Sequence, residues 1–171
     1  MADSCETLAG RWFRNVQKNK WRIITGEAGT GKTSCSRALA QFCRQASLAA
    51  FENGNWGVSR QPSALMVEWL TIASPETCDD KEFDRFISEA GDASMIILDD
   101  IGTETDRFKT GIPTQRLCHL LNRIEFKFVW ITTNRAPSTW SSTWDNRVED
   151  RLLSAEHVEV NAPSWRSGSH K

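Results

Sequence analysis

The feature that most constrains this chain is the octapeptide Gly-Glu-Ala-Gly-Thr-Gly-Lys-Thr at residues 26–33. It matches the pattern G-x-x-x-x-G-K-[ST] at every fixed position, with a short apolar segment before it and a helix-forming segment after it. Glycines let successive backbone N–H groups point at phosphate oxygens, and the amino terminus of the following helix adds its positive dipole end. The octapeptide therefore predicts a strand, a phosphate-binding loop and a helix, in that order.

The side chains of this loop predict which ligand it takes. Lys32 is expected to reach the β- and γ-phosphates of a nucleotide, and the Thr33 hydroxyl is expected to ligate Mg²⁺. ATP or ADP with Mg²⁺ is therefore the expected cofactor. The expected nucleotide-binding residues are Gly26, Glu27, Ala28, Gly29, Thr30, Gly31, Lys32, Thr33 and Ser34.

Composition narrows the class of protein. The chain has 171 residues, of which 39% are hydrophobic and 25% charged, which is the balance of one globular domain. A net charge of −1 gives no general attraction to nucleic acid or to a membrane. Basic residues interrupt the amino-terminal segment, and no apolar run approaches the roughly 20 residues that span a bilayer. We therefore expect a cytoplasmic protein that makes no contact with a membrane.

The order of apolar and polar segments predicts strands that alternate with helices. Such alternation is typical of a three-layer α/β domain with a central parallel sheet. We expect a short amino-terminal helix in residues 1–20, the core in 21–166 and a tail in 167–171. The predicted strands are 21–25, 47–51, 95–98, 128–133 and 158–160, and the predicted helices are 3–19, 32–45, 62–73, 79–90, 113–125 and 144–153.

Two acidic residues follow the strand at 95–98. Ligands of open α/β sheets bind at the carboxyl ends of the strands, which is where Asp99 and Asp100 are expected. Asp99 is placed to hold Mg²⁺, usually through water, and Asp100 is placed to act as general base towards an attacking water. The alternative is a strand that is merely terminated by acidic residues.

The strand at 128–133 is followed by Asn134. An amide at that edge can donate a hydrogen bond to the γ-phosphate or orient the water. The alternative is an asparagine that simply forms the turn before Ala136 and Pro137.

Two arginines follow on the last predicted helix. Arg147 and Arg151 are four residues apart, so they share a helix face. A guanidinium offered to a transferring phosphoryl group accelerates the reaction by orders of magnitude. The alternative is that both arginines only form surface ion pairs, with Asp145, Glu149 or Asp150.

The order of these elements resembles the layout of AAA+ ATPases, and more closely that of DnaC-like replicative helicase loaders and the related IstB transposition helpers. The resemblance covers about residues 20–166. Besides the phosphate loop, the segments that carry it are Asp99–Glu104, Ile131–Asn134, Arg147–Leu152 and Ser164-Trp165-Arg166.

The resemblance implies an ATPase core. Departing from the usual pattern, we expect no carboxy-terminal helical lid after residue 160, and either the short helix at 3–19 replaces the usual helicase-binding segment or the chain is a compact, phage-type version of such a loader. The resemblance further implies that Arg151 acts on ATP held by a neighbouring subunit, so the active form is a homo-oligomer with shared sites. It also implies a replicative helicase as partner in a bacterial or phage-infected cell, with single-stranded DNA as a further ligand. Asp100 stands where most AAA+ enzymes have glutamate, and its shorter side chain predicts slow hydrolysis.

Two other functions remain open at this stage. A small-molecule or nucleoside kinase uses the same phosphate loop, and a nucleotide-dependent binding module would show negligible turnover. For DNA, residues 11–22 interleave basic and aromatic side chains, which suits phosphate contacts and base stacking. The alternative for that segment is a solvated helix face whose aromatic side chains pack inward.

Overall fold

The computed structural model describes residues 20–52, 64–106 and 108–164, except for the side chains of 46–52. The predicted helix at 3–19, most of the predicted loop at 52–61, Trp165, Arg166 and the tail at 167–171 lie outside the described residues.

The described residues form one five-stranded parallel sheet in the order β2-β3-β4-β1-β5. This arrangement confirms the predicted α/β fold class with a central parallel sheet. The strand that precedes the phosphate loop pairs with a strand on either side, so the loop begins inside the row of carboxyl-terminal strand ends and not at an outer strand. The strands are β1 (Trp21–Gly26), β2 (Ala64–Glu68), β3 (Met95–Ile101), β4 (Phe128–Thr133) and β5 (Glu156–Val160).

Helices cover both faces of the sheet. The described α-helices are α1 (Lys32–Glu52), α2 (Asp80–Asp92), α3 (Ile112–Arg123), α4 (Trp140–Thr143) and α5 (Asn146–Leu153). The first of these packs on one face, and α2, α3 and α5 pack on the other. None of the described helices is long and apolar enough to cross a membrane. In the described residues up to Ser164, no helix follows β5.

The three middle strands are buried on both faces, which explains their continuous apolar sequences. Large indole rings fill much of the space between sheet and helices. Trp130 lies on the α1 side, where its Nε1 donates to Ser36 Oγ at 3.1 Å, and Trp69 and Trp140 are fully buried on the opposite face.

Two secondary-structure predictions are wrong. Residues 47–51 continue α1 instead of forming a strand, which agrees with the high helix propensity of their alanines and leucine. Residues 62–73 were expected to be helical, but the described part contains β2 and a 3₁₀ turn at Trp69–Thr71. Pairing of β2 with β3 outweighs the local helix propensity of the Ala-Leu-Met-Val-Glu segment.

Candidate nucleotide-binding and hydrolysis site

The glycine loop leaves β1 in a backbone conformation that needs glycine. Gly31 has φ +91°, and Gly26 lies so close to β5 that an added Cβ would come within 2.6 Å of the Val160 carbonyl oxygen. The Thr30 hydroxyl closes the loop by donating to the carbonyl of Glu27 at 2.9 Å. The conformation of the loop is thus set by its start at the end of β1, by its close packing against β5 and by the internal hydrogen bond from Thr30 to Glu27.

The Lys32 ammonium lies inside the curve of this loop. Its Nζ donates to the carbonyls of Gly26 and Glu27, each at 2.8 Å. Burial lowers the pKa of Lys32, and the carboxylates of Asp100 and Asp99 oppose that shift. The ammonium therefore lies within electrostatic range of the acid pair on β3.

A β-bulge shapes the carboxyl end of β3. Leu98 lies opposite Ile131 of β4, but Ile101 lies opposite Thr133, so β3 contains one residue more than its neighbour. Asp100 adopts φ +63°, a left-handed conformation that asparagine and aspartate tolerate better than most residues. Bulges re-aim side chains near functional sites, and this bulge sets the direction of the Asp100 carboxylate.

Asp99 is almost fully buried and is held by a hydroxyl from the next strand. Thr132 Oγ1 donates to Asp99 Oδ1 at 2.7 Å and accepts from the backbone N–H of Asp100 at 2.8 Å. The other oxygen, Asp99 Oδ2, is buried and has no hydrogen-bond partner among the described residues. An orphaned carboxylate oxygen is costly unless a ligand satisfies it. Mg²⁺ prefers oxygen ligands and retains bound water, so this donor fits the expected metal.

The Asp100 carboxylate contacts the predicted asparagine. Asn134 Nδ2 donates to Asp100 Oδ1 at 2.8 Å, which places the two side chains at the same edge of the sheet. Burial raises the pKa of Asp100, and the neighbouring Asp99 raises it further while Lys32 opposes the shift. A carboxylate with a raised pKa is a better proton acceptor, as a general base requires.

Sequence reasoning assigned no role to Thr132 or Glu104, although both connect parts of the site. Glu104 Oε2 accepts from the Gly102 backbone N–H at 2.7 Å, and its Oε1 lies 3.4 Å from Trp144 Nε1. Arg135 Nε donates to the Gly102 carbonyl at 2.9 Å. These contacts tie the segment after Asp100 to the end of β4. Thr132 places a hydroxyl at the end of an otherwise apolar buried strand, and this pattern could have indicated a role in the site.

Arg151 lies far from the phosphate loop of its own chain. Its Nη1 is 4.0 Å from Glu125 Oε2, and the Glu125 carbonyl accepts from Nε1 of Trp21, the first residue of β1. The phosphate loop starts at Gly26, which is about 17 Å further along the strand at the usual rise per residue. Arg151 therefore lies towards the amino-terminal edge of the sheet, whereas Lys32, Asp99, Asp100 and Asn134 meet at the carboxyl edge.

Arg147 has a different environment. Its Nη2 donates to Asp145 Oδ2 at 2.9 Å, and Asp145 is the N-cap of the same helix. This contact raises the pKa of the Arg147 guanidinium.

A cavity of about 630 Å³ adjoins the phosphate loop and reaches the end of β5. Asn134 and Thr30 contribute to its wall, so it is continuous with the predicted site. From the segment at 11–22, Lys20, Trp21 and Arg22 are described, and Trp21 and Arg22 are buried. Arg22 forms an ion pair with Glu156 of β5. These two side chains are therefore packed into the fold, whereas Lys20 is exposed.

Replacing Thr132 with valine is expected to lower the free energy of unfolding by about 2 kcal/mol, because Asp99 Oδ1 and the Asp100 N–H lose their partner together. Urea unfolding measures this loss. Thr132→Ser is the matched control, since it keeps the hydroxyl and removes only a methyl group. Equal stabilities of the valine and serine variants would contradict the bridging role.

Comparison with solved structures identifies the architecture. Over 91% of this chain, the AMPPCP-bound DnaA of Aquifex aeolicus superposes with a TM-score of 0.66 at 16% identity. A DnaC helicase loader superposes over 93% of this chain with a TM-score of 0.66 at 14% identity, and DnaI over 92% with 0.61 at 17%. The chain has the fold of an AAA+ ATPase domain. This finding confirms the fold that the resemblance implied.

The extent of these matches differs between the neighbours. This chain spans 45% of the DnaA chain, but 89% of the DnaC chain and 84% of the DnaI chain. A second DnaA structure, described as bound to AMPPCP and single-stranded DNA, has a TM-score of 0.65 at 16% identity. No protein-family model and no curated protein matches the sequence.

Proposed function

We propose that this chain binds Mg²⁺ and ATP at residues 26–33, hydrolyses the ATP slowly, and uses the cycle to load or remodel a replicative DNA helicase. The observation that supports hydrolysis is the convergence of Lys32, Asp99, Asp100 and Asn134 at one sheet edge.

The chain's own residues divide the work of hydrolysis. Thr33 and Asp99 would hold Mg²⁺, Asp99 through water, and a bound metal would neutralise charge on the phosphate oxygens. Lys32 Nζ, which donates to the carbonyls of Gly26 and Glu27, would contact the phosphates of the bound nucleotide. Asn134 donates to one oxygen of Asp100, which leaves the other oxygen to accept the proton of the attacking water. The aspartate side chain is one methylene shorter than glutamate, and for this reason the proposal includes slow turnover.

Arg151 completes the site from a neighbouring subunit in this proposal. Its position towards the opposite edge of the sheet leaves it unable to reach the phosphate loop of its own chain. Two different surfaces then meet at each contact, so subunits join head to tail. Such contacts propagate into a ring or an open filament and do not close as a symmetric dimer.

The structural neighbours support the proposed setting in replication. DnaC is described as a helicase loader, and one DnaA structure contains single-stranded DNA. The domain assignment that goes with this proposal is an ATPase core at 21–166. If the basic and aromatic segment at 11–22 contacts DNA, the contact falls to Lys20 and the residues before it, because Trp21 and Arg22 are buried.

A pull-down tests the partner. Tagged full-length chain should retain the hexameric replicative helicase of the same cell with Mg²⁺ and ATP, and much less without nucleotide. Lys32→Ala should lose both this retention and the release of phosphate, because the ammonium no longer contacts the phosphates. Lys81→Ala, on the exposed face of α2, is the matched control and should behave as wild type. Retention that is independent of ATP and of Lys32 would argue against a nucleotide-driven loader.

A further inference from the structure

Side chains hold the backbone at the end of β3, beyond the point where its pairing with β2 stops. The ladder between β2 and β3 ends at the pair Glu68 and Asp99, and the bulge interrupts the ladder to β4. In residues 100–102, side chains from the end of β4 and from the following loop bond successive backbone groups. These bonds join Asp100 N–H to Thr132 Oγ1, Asp100 C=O to Thr103 Oγ1, Ile101 C=O to Thr133 Oγ1, Gly102 N–H to Glu104 Oε2 and Gly102 C=O to Arg135 Nε.

We propose that Arg135 and Glu104 are positioning residues that hold the Gly102 peptide groups and thereby fix the direction of the Asp100 carboxylate. Gly102 lies two residues after Asp100, so its backbone determines how the chain continues from the bulge. The inference rests on the proposed function, because it takes Asp100 to be the general base. It adds two residues that set the rate of hydrolysis without contacting the nucleotide.

Gly102 is the residue of this segment whose backbone is least restricted by its own side chain. Its φ of +84° lies in the left-handed region, and glycine populates both sides of φ about equally. Arg135 and Glu104 bond the carbonyl and the N–H of this one residue, at 2.9 and 2.7 Å. Hydrogen bonds that involve a charged group are stronger than those between neutral groups, so this pair opposes the freedom that glycine brings.

Close packing around Gly102 restricts the two charged side chains as well. A Cβ added to Gly102 would lie 2.9 Å from Arg135 Cγ and 2.9 Å from Trp144 Cζ2. Trp144 is buried, and its Nε1 lies 3.4 Å from Glu104 Oε1. The stem of Arg135 and the indole ring of Trp144 therefore enclose the glycine, and the same ring contacts the carboxylate that bonds it. The two positioning side chains are placed by packing as well as by hydrogen bonds.

Consecutive residues after β4 act on the same short segment of β3. Asn134 Nδ2 donates to Asp100 Oδ1 at 2.8 Å, and Arg135 Nε donates to the carbonyl of Gly102. The backbone of Arg135 is itself held, because its carbonyl accepts from Nε1 of the buried Trp140 at 3.2 Å. One residue therefore contacts the carboxylate, and the next contacts the peptide group that follows it.

Steady-state phosphate release with Mg²⁺ and ATP tests Arg135. Arg135→Met keeps the length of the side chain but removes the donor, and it should lower kcat by roughly tenfold or more, because small displacements of a catalytic group have effects of this size. Arg135→Gln also lacks the charge but keeps an N–H donor at the position of Nε, so it should retain most of the rate. The KM for ATP should not change in either variant. Arg85→Met, on the exposed face of α2, is the matched control and should behave as wild type.

The same comparison tests Glu104. Glu104→Met removes the acceptor of the Gly102 N–H, whereas Glu104→Gln keeps an amide oxygen in its place. The methionine variant should lose roughly tenfold in kcat at unchanged KM, and the glutamine variant should recover the rate. Glu89→Met, also exposed on α2, is the matched control. Rates are compared at a temperature at which urea unfolding shows every variant to be folded, and at a protein concentration at which the rate per subunit no longer rises.

The outcomes distinguish this inference from the proposed function. Equal rates for the methionine and glutamine variants would overturn the positioning role of the residue concerned. A rise in KM that accompanies the loss of rate would indicate a contact with the nucleotide, and it would also overturn the inference. Both results leave Asp100 as the base. If Asp100→Asn, assayed beside these variants, released phosphate at the wild-type rate, the proposed role of Asp100 would be wrong and this inference with it.

Discussion

Asp100→Asn is expected to lower the rate of phosphate release by about 10²- to 10⁴-fold, the usual contribution of a general base. The same change should raise the free energy of unfolding by up to roughly 1 kcal/mol, because it removes a partly exposed charge that burial and Asp99 disfavour. Asparagine also suits the left-handed backbone at this position, and its amide oxygen still accepts from Asn134. Loss of activity together with a gain in stability is typical of a catalytic group whose placement lowers the stability of the fold.

The dependence on pH gives this prediction a further check. Because the pKa of Asp100 is raised in the folded state, its carboxylate destabilises the fold at neutral pH, and that penalty disappears as the pH falls through the folded pKa. The stability difference between variant and wild type should therefore shrink in acid. Asp84→Asn on the exposed face of α2 is the control for removing a surface carboxylate. Nucleotide binding by the variant should persist, and its loss would indicate a damaged loop.

The backbone conformation at Asp100 could not be predicted from the sequence, although the position of β3 could. Four apolar residues followed by two acids correctly placed β3, and the rule for parallel sheets placed the acids at the ligand edge. The bulge that turns Asp100 depends on the register between β3 and β4, and the one-residue offset between Leu98 and Ile101 leaves no mark on either sequence. The hydrogen bond from Asn134 follows from that offset, so it could not be predicted.

The wrong prediction for β2 has a related cause. Four of the five residues from Ala64 to Glu68 are good helix formers, and pairing with β3 makes the segment a strand. The three middle strands, β1, β3 and β4, were predictable because they are buried on both faces, and their apolar composition distinguishes them.

Arg151→Ala is expected to lower the ATPase rate by about 10³-fold, within the range known for an arginine supplied to a transferring phosphoryl group. The loss should occur with unchanged nucleotide affinity, because Arg151 lies about one strand length from its own phosphate loop. Arg147→Ala should cost much less, since its guanidinium contacts the cap of its own helix. Arg85→Ala, which removes an exposed arginine from α2, is the control for loss of surface charge.

The in-trans position makes a quantitative prediction for mixtures with Lys32→Ala. If subunits join head to tail at random, a contact is active only when the phosphate loop comes from an Arg151→Ala subunit and the arginine from a Lys32→Ala subunit. This combination occurs in about one quarter of the contacts in an equal mixture. The regained rate should therefore approach about one quarter of wild type and should fall on dilution as contacts are lost. Wild-type activity per subunit should fall on dilution in the same way. A rate that stays constant on dilution, from protein that remains monomeric, would place the whole reaction within one chain and leave Arg151 without a phosphate to contact.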